Sequence, residues 1–370
     1  MTLRGMTTKT DVMVLIGRFQ PFHNGHLDVI AKALAACERI IVLVGSANLA
    51  RDTRNPFTYE ERATLIRAAV VGRFGQEALT RVVVNALPDS PYDLQEWIET
   101  VQMTVKLNTA PFVRPAICLT GHERDETSFY LKLFPQWAYM GAGDTSGINA
   151  TALRADYFRG GIDFTSKAWR EDGPIWRNVV PPETIAFLDS FRNKPEYARL
   201  MRERAAEIAY KKKYGPGPHV TCDSVVIQSG HVLVGRRKGE YGTGLLAIPG
   251  GFLEVARNET LLEGAERECF EETRLFDHFG PDNQITDERR RMLHTHLRGQ
   301  DVFGDPNRSR RGRIITHAHL FKLPDDYSLP AVGEWDDLED VHWMPISDVR
   351  VDEFFEDHAF IIEKMIRQFL

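Results

Sequence analysis

Short apolar runs and longer amphipathic segments alternate along the first half of the chain. Four runs have the length of buried strands: VMVLIG from Val12, RIIVLVGSA from Arg39, RVVVNAL from Arg81 and AICLTG from Ala116. Segments between them, such as Leu27–Cys37, have the apolar spacing of a helix. Because this order is typical of parallel strands joined by crossover helices, we predict an α/β fold with a parallel sheet here.

The pattern changes in the middle of the chain. From about Pro181 to Tyr214 it is helical and heavily charged, and it breaks at the sequence GPGP, which begins at Gly215. Two strand-like runs follow around a Ser229–Gly230 turn, as in a β-hairpin. The predicted organisation is a domain over residues 11–190, a helical linker over 191–218 and a second domain, beginning with antiparallel strands, over 219–370.

Composition and charge narrow the function classes. Of the 370 residues, 43% are hydrophobic and 26% are charged, and no apolar stretch approaches the length of a membrane span. The net charge of -6 gives no overall attraction to nucleic acid. The four cysteines form no CxxC pair, and the first residues lack the apolar core of a secretory signal. We expect a cytoplasmic protein that acts on small molecules, with no membrane or nucleic-acid partner.

The turn GRFQPFHNGH, Gly17–His26, holds the first candidate site. It follows a predicted strand and opens a predicted helix, which is where open α/β sheets bind ligands. Backbone N–H groups and the helix dipole favour an anion at such a point, and His23 and His26 are spaced to face one phosphate chain. The GxGxxG pattern of a dinucleotide-binding turn is missing, which argues against a dehydrogenase.

This turn resembles the HxGH signature of the nucleotidyltransferase superfamily, and its Arg-Phe-x-Pro is most similar to nicotinamide mononucleotide (NMN) adenylyltransferases of the archaeal type. The superfamily's second signature, ISxTxxR, corresponds to INATALR, Ile148–Arg154, with Asn149 in place of the serine. From the spacing we expect Thr151 to cap the following helix and Arg154 to point at the same phosphate region. The resemblance implies a Rossmann-like nucleotidyltransferase domain that joins ATP and NMN.

Adenylyl transfer by in-line attack needs no covalent enzyme intermediate, so its catalysts align the reactants and neutralise growing negative charge. We predict that this charge is met by Mg²⁺, or Mn²⁺, on the phosphates and by four side chains: Arg18, His23, His26 and Arg154. Further segments that match the family are NPFTYEER from Asn55, TGHERDETSFYL from Thr120 and PYDLQEWIETV from Pro91. The predicted substrate-binding residues of this half are Gly17, Phe19, Gly25, Asp93, Trp97, Gly121, His122 and Thr151.

Trp97 has two interpretations. By resemblance, its ring would stack on the nicotinamide ring. Its helical spacing with Ile98 and Val101 is equally that of a core residue. Arg51 and Arg54 are similarly open, because a loop arginine either guides phosphates or is simply solvated.

The segment GGFLEVARNETLLEGAERECFEETRL, Gly250–Leu275, holds the second candidate site. On a helix, Glu268 lies three and four residues from Glu271 and Glu272, so the three carboxylates can share one edge. Such crowding is costly without cations, and Mg²⁺ would relieve it, polarise a diphosphate and activate water. The segment resembles the Nudix signature Gx5Ex7REUxEExGU, which implies an α/β domain with a mixed sheet sandwiched by helices. We predict all three carboxylates as metal ligands and Glu272 as catalytic.

Two departures from the signature border this site. Seven residues separate Gly251 from Glu259 where the pattern has five, so the loop carries a short insertion. Arg274 stands where the signature has glycine, normally a left-handed helix cap, and a non-glycine residue there costs on the order of 1 kcal/mol. We expect a loss of stability and not of chemistry, because the carboxylates are intact.

A group of arginines lies downstream of this segment. We predict that Arg311 and Arg313 bind a substrate phosphate, and a simple surface cluster with Arg308 and Arg310 is the alternative. The general base stays open among the acidic residues of one loop, Glu334, Asp336 and Asp337.

Taken together, the two halves resemble proteins that fuse an NMN adenylyltransferase to an ADP-ribose pyrophosphatase. The resemblance implies two reactions: ATP and NMN give NAD and diphosphate, and ADP-ribose gives AMP and ribose 5-phosphate. It leaves a homo-oligomer open. One alternative is a nucleotidyltransferase with another acceptor, such as pantetheine phosphate, which activity with that acceptor but not with NMN would favour. Another is a Nudix half that only senses ADP-ribose or NAD, which tight binding without turnover would favour.

Overall fold

In the computed structural model, the chain folds into two units, Met1–Arg199 and Leu200–Leu370. The structure describes residues 10–110, 112–121, 130–141, 148–158, 175–276, 287–334 and 337–370. The division lies inside the helix Pro195–Tyr214, in the part of the chain expected to form a linker. The bounds 11–190, 191–218 and 219–370 stay predictions.

The first unit contains a parallel sheet in the strand order β3-β2-β1-β4-β5. Its strands are β1 (Thr10–Gly17), β2 (Cys37–Val44), β3 (Val82–Ala86), β4 (Ile117–Gly121) and β5 (Ala138–Gly141). The helices described up to the division are α1 (Asn24–Ala36), α2 (Tyr59–Phe74), α3 (Leu94–Asn108), α4 (Ala150–Tyr157), α5 (Pro182–Phe191) and α6 (Pro195–Tyr214), which crosses it. The four predicted strands are present and pair in parallel, as expected.

Strand β1 is buried on both faces because helices cover both sides of this sheet. Met13 and Leu15 pack in the cluster that includes α1 and α2 residues, whereas Val12, Val14 and Ile16 pack in the cluster that includes α3 residues. This double coverage explains the unbroken apolar run in the sequence. The turn Gly17–His26 leaves the sheet at the carboxyl end of β1, the edge at which parallel sheets place ligands.

The second unit contains a mixed sheet in the order β10-β11-β6-β7-β12, with β8 paired to β7 and β9 to β6. Its strands are β6 (His219–Gln228), β7 (His231–Arg237), β8 (Leu246–Ala247), β9 (Gly250–Phe252), β10 (Leu297–Phe303), β11 (Ile314–Lys322) and β12 (Leu338–Pro345). The described helices after the division are α7 (Leu261–Thr273), α8 (Asp287–His294) and α9 (His358–Phe369). Strand β11 runs parallel to β6, whereas β10 pairs antiparallel with β11 and β12 pairs antiparallel with β7. The sheet is therefore mixed, as predicted.

The predicted hairpin joins β6 to β7. Ile227 pairs with Val232 and Gln228 with His231. Ser229 and Gly230 both have left-handed backbone, with φ of 46° and 75°, as a two-residue hairpin turn requires. Across the described residues, we find no helix with the length and apolar character needed to span a bilayer.

Candidate functional site

The turn after β1 brings His23 and His26 together. His23 is the N-cap residue of α1, and its backbone N–H donates a hydrogen bond to Nδ1 of His26 at 3.2 Å. The two imidazole rings stack with their centroids 3.6 Å apart. Because Nδ1 of His26 accepts a hydrogen bond, the neutral ring carries its proton on Nε2 and can donate it to a ligand.

Buried aromatic rings hold His26 in place. Phe19 meets it edge-on at 4.8 Å between centroids, and Phe22 stacks on it at 5.4 Å. Gly17 makes room for Phe19, since a Cβ there would come within 3.0 Å of that ring, and Gly25 is buried in the first turn of α1. Phe19 therefore positions His26 from the core. Contact of Phe19, Gly17 or Gly25 with a substrate stays a prediction.

The second signature meets the first, as expected. Arg154 is buried in α4, and its Nη1 donates to the carbonyl oxygen of Gln20 at 2.6 Å, across a separation of 134 residues. Its Nη2 donates to Oγ1 of Thr151 at 3.1 Å. The expected cap was wrong: Asn149 is the N-cap, accepting from the Thr151 N–H at 2.8 Å, so Thr151 lies inside the helix. An asparagine oxygen caps a helix as a serine does, which accounts for Asn149 in the signature.

Helix α3 carries two of the predicted substrate-binding residues. Asp93 is its N-cap and accepts a hydrogen bond from the Glu96 N–H at 3.0 Å. Trp97 is half-buried, and its ring centroid lies 6.4 Å from that of Tyr130 and 6.2 Å from that of Phe134. Trp97 thus packs against the apolar cluster with one part of its surface accessible, so both of its interpretations stand.

Gly121 and Arg51 are further predicted residues of the first unit that lie in the described part of the chain. Gly121 is the buried last residue of β4, and His122 lies outside the described residues. Arg51 forms a two-point ion pair with Glu61, with distances of 2.6 and 3.0 Å. Arg51 therefore stabilises the start of α2 and is not the simply solvated loop arginine that was the alternative to phosphate binding.

One buried arginine that the sequence analysis did not single out connects the loops around this site. Arg62, which is 1% exposed, donates to the carbonyl oxygens of Arg18, Gly45 and Ser46 at 2.7, 2.6 and 3.0 Å. Burial lowers the pKa of its guanidinium to about 10, so it remains a cation at neutral pH. Arg62 fixes the backbone that carries Arg18, and its only sequence signal was its place at the end of NPFTYEER.

The second candidate site lies where β9 meets α7. Glu272 is buried and accepts a hydrogen bond from the Gly250 N–H at 2.9 Å. Burial, together with the nearby charge of Glu268, raises the pKa of Glu272 well above its usual range. A Cβ on Gly251 would overlap the carboxylate of Glu268, so the glycine allows the strand to approach it. Two carboxylates thus converge on one glycine-lined strand end.

Arg267 organises the other carboxylates of the signature. It is 2% exposed and donates twice to Glu259 at 2.9 Å, and through Nη1 to Glu268 at 2.8 Å and Glu271 at 2.9 Å. Arg267 therefore holds Glu268 and Glu271, whereas the strand backbone holds Glu272. Within the described ranges, no three His, Cys, Asp or Glu side chains already form a metal-binding group.

The remaining predicted residues of the second unit are spread over two loops. Arg311 lies 3.6 Å from the carboxylate of Glu356, and the backbone of Arg313 pairs with residues of the GPGP break and the start of β6. Glu334 accepts a hydrogen bond from the Asp340 N–H at 2.9 Å, Asp337 is exposed, and Asp336 lies outside the described residues. The choice of general base among these acids stays open.

Comparison with known proteins identifies both units. The family model for cytidylyltransferase-like domains matches residues 14–156, and the NUDIX domain model matches residues 217–369. A crystal structure of a bifunctional NMN adenylyltransferase/ADP ribose pyrophosphatase from Francisella tularensis is 32% identical and covers 97% of this chain and 99% of its own, with a TM-score of 0.82. The chain belongs to this family.

Two further comparisons agree with the assignment. The Francisella tularensis protein complexed with AMP and Mn ion gives a TM-score of 0.81 at 31% identity, over 97% of this chain and 99% of that chain. A nicotinamide/nicotinic acid mononucleotide adenylyltransferase from Acinetobacter baylyi is 35% identical over 201 residues, which are 54% of this chain and 96% of the relative. The first unit is accordingly the adenylyltransferase domain and the second the Nudix domain.

The Nudix carboxylates fit a divalent cation by their chemistry. Magnesium and manganese prefer oxygen ligands, and Glu268 and Glu272 supply carboxylate oxygens on one side of α7. Glu272 is buried beside the negative charge of Glu268, and both features raise its pKa. A bound cation would offset the cost of the buried negative charge and the repulsion between the two carboxylates. The donor set of this domain is therefore suited to Mg²⁺ or Mn²⁺.

Both departures from the signature are accommodated locally in the Nudix domain. Within the lengthened loop, residues Val255–Arg257 form a 3-10 turn that ends at Asn258 in left-handed backbone. Arg274 is the C-cap of α7, with φ 50° and ψ 29°, and its N–H donates to the Phe270 carbonyl at 3.0 Å. The expected left-handed cap is thus confirmed, with arginine in the position of glycine.

We expect Arg274→Gly to raise the free energy of unfolding by about 1 kcal/mol, because glycine adopts left-handed backbone without a Cβ clash. Urea unfolding of the whole chain, followed by a probe in the Nudix domain, measures the change. Arg274→Ala is the control, since alanine keeps the Cβ and should give no gain. An equal gain in both variants would show that the arginine side chain, and not its backbone, is unfavourable.

We expect Asp223→Asn to remove part of the pH dependence of stability. Burial raises the pKa of Asp223 to about 6 from 3.8, so the folded state favours its protonated form. The stability that this form contributes to the folded protein is fully present below pH 3.8 and is lost as pH rises through 6. Asparagine does not titrate, and its oxygen can still accept the 2.6 Å hydrogen bond from Thr316. From pH 4 to 7 the variant should gain on the order of 1–3 kcal/mol relative to the wild type in urea unfolding. A difference that stays constant over this range would contradict the expectation.

Proposed function

We propose that the adenylyltransferase domain joins ATP and NMN into NAD and diphosphate, and that the Nudix domain hydrolyses ADP-ribose to AMP and ribose 5-phosphate. The observation that carries the first assignment is the hydrogen bond from Arg154 to Gln20, which unites both nucleotidyltransferase signatures at one strand end. Buried Glu272 beside Glu268 supports the second. The likeness to the bifunctional enzyme over nearly the whole chain supports their combination.

In the first reaction, the NMN phosphate attacks the α-phosphorus of ATP in line, and diphosphate leaves. Negative charge grows on the transferred group, so the protein acts by alignment and charge neutralisation. The Nε2–H of His26 donates to the transferred group, and the His23 ring stacks against the His26 ring. Arg18, whose backbone is fixed by Arg62, and Arg154 supply the positive charge. No protein side chain forms a covalent bond in this scheme.

In the second reaction, Glu268, Glu271 and Glu272 would hold Mg²⁺ or Mn²⁺. The chemistry that such an ion supplies when bound is polarisation of the diphosphate and acidification of a water molecule. Arg267 holds Glu268 and Glu271 in place, and the Gly250 N–H orients Glu272.

The substrate-binding groups and the location of the protein complete the proposal. We assign Arg311 and Arg313 to a substrate phosphate, with the general base among Glu334, Asp336 and Asp337. The four cysteines are buried and form no disulfide bond, which supports a reducing, cytoplasmic location.

Product analysis of the purified chain tests this proposal. The chain is incubated with ATP plus NMN, and separately with ADP-ribose, each in Mg²⁺, and the products are resolved by chromatography. NAD in the first reaction and AMP in the second are expected. A third incubation, with ATP and pantetheine phosphate, tests the other acceptor. If ADP-ribose binds tightly and stays intact, the Nudix domain is a sensor of this ligand and not a hydrolase.

A further inference from the structure

Two arginine–carboxylate pairs connect the loop before β11 to the loop before α9 in the Nudix domain. The arginines come from the first loop and the carboxylates from the second. Nε and Nη2 of Arg308 donate to both carboxylate oxygens of Asp357 at 2.8 Å each, so this pair is closed. Arg311 and Glu356 form the neighbouring pair, whose nearest nitrogen and oxygen are 3.6 Å apart. We call the second the open pair, because its members lie beside each other without a hydrogen bond.

The open pair has unused hydrogen-bonding capacity among the described residues. The side chain of Glu356 is 6% exposed, yet neither of its carboxylate oxygens accepts a hydrogen bond, and the buried Nε of Arg311 donates none. Leaving a buried carboxylate without donors is unfavourable. Glu356 also has left-handed backbone, with φ 47°, which a non-glycine residue adopts at a cost. These features indicate that a ligand completes the pair.

The surroundings place the open pair at the edge of the Nudix site. The guanidinium of Arg311 lies 5.4 Å from the ring centroid of Tyr241 and 5.5 Å from that of Phe355. Arg237 lies 4.1 Å from the same Phe355 ring. Arg311 also lies 5.9 Å from the ring centroid of Phe252, which ends β9, the strand whose Gly250 N–H binds Glu272.

We propose that Glu356 accepts hydrogen bonds from the vicinal hydroxyl groups of a substrate ribose while Arg311 binds the adjoining phosphate. The two oxygens of a carboxylate can accept from two neighbouring hydroxyls, and a guanidinium donates to phosphate oxygens. A ribose phosphate carries both complementary groups. Asp357 has no such need for a ligand, because each of its two oxygens already accepts a hydrogen bond from Arg308.

This inference rests on the proposed ADP-ribose hydrolysis and makes Glu356 its specificity-determining residue. A ribose that lacks a hydroxyl leaves one acceptor oxygen of Glu356 unpaired. A ribose that carries a phosphate in place of a hydroxyl meets the negative charge of Glu356. The Nudix domain should therefore select substrates with unmodified ribose.

The test compares wild type, Glu356→Ala, Glu356→Gln and Glu353→Gln. Glu353 lies three residues earlier and is exposed, so its substitution is a matched charge control. The substrates are ADP-ribose and two analogues. One analogue carries 2-deoxyribose in place of the adenosine ribose, and the other carries it in place of the terminal ribose.

We expect the wild type and Glu353→Gln to prefer ADP-ribose over one analogue by about 10–100-fold in kcat/KM. In Glu356→Ala the preference should fall to about threefold or less, because there is no hydrogen bond left to lose. Glu356→Gln keeps one acceptor oxygen and should be intermediate.

A wild type that hydrolyses ADP-ribose and both analogues equally would overturn the inference, as would a Glu356→Ala variant that keeps the preference. Failure of the wild type to hydrolyse ADP-ribose would instead overturn the proposed function. In that case the affinity for ADP-ribose, measured by titration without metal, tests the role of Glu356. The Glu356→Ala variant should bind ADP-ribose about tenfold more weakly than the Glu353→Gln variant. Equal affinities would overturn the role of Glu356. Thermal unfolding of each variant establishes that the domain is folded.

Discussion

Replacing His26 with alanine should lower the rate of NAD formation by about 10²–10³-fold and leave ADP-ribose hydrolysis unchanged. The Nε2–H of His26 is directed by the hydrogen bond that the backbone of His23 makes to Nδ1, and the ring is held by Phe19 and Phe22. Alanine removes the donor to the transferred phosphoryl group. Initial rates of both reactions, measured on one preparation, provide the comparison.

His26→Gln is the matched control for this substitution. Its side-chain amide keeps a neutral N–H donor at a similar reach, so it should recover part of the lost rate. If the alanine variant formed NAD at the wild-type rate, His26 would have no part in the reaction. If a folded alanine variant lost both activities, the two sites would not be independent.

The Nudix reaction should depend as strongly on Glu272. We expect Glu272→Gln to lower ADP-ribose hydrolysis by about 10³-fold, because an amide cannot supply the anionic oxygen that a divalent cation requires. NAD formation should stay at the wild-type rate. The amide oxygen of glutamine can still accept the hydrogen bond from the Gly250 N–H, so the strand end should keep its structure. Both rates are measured in saturating Mg²⁺, together with thermal unfolding.

Glu339→Gln is the control for Glu272→Gln, since Glu339 is an exposed carboxylate of β12 in the same domain. It should change neither rate. If a folded Glu272→Gln variant hydrolysed ADP-ribose at the wild-type rate, Glu272 would have no part in the reaction. The two substitutions, at His26 and Glu272, should therefore separate the activities in opposite directions.

Local features of this protein follow from the sequence alone. The apolar run before Gly17 predicted β1, the Ser229–Gly230 turn predicted the β6–β7 hairpin, and the place of Arg274 in the Nudix signature predicted a left-handed cap. Each depends on the preferences of a few consecutive residues, such as side-chain periodicity or backbone conformation. The two signatures also indicated both candidate sites, because their chemistry requires particular residue types at fixed spacing.

Only the tertiary structure decided how the side chains of these sites are paired. Arg154 binds the carbonyl of Gln20, and Arg62 connects the loop after β1 to the loop after β2. Arg267 binds two of the three carboxylates that the helix spacing had placed together. The sequence likewise contained no sign that Glu356 lies buried beside Arg311. Burial and hydrogen bonds between distant residues depend on the path of the whole chain, and charged groups settle on whichever partners that path brings within reach.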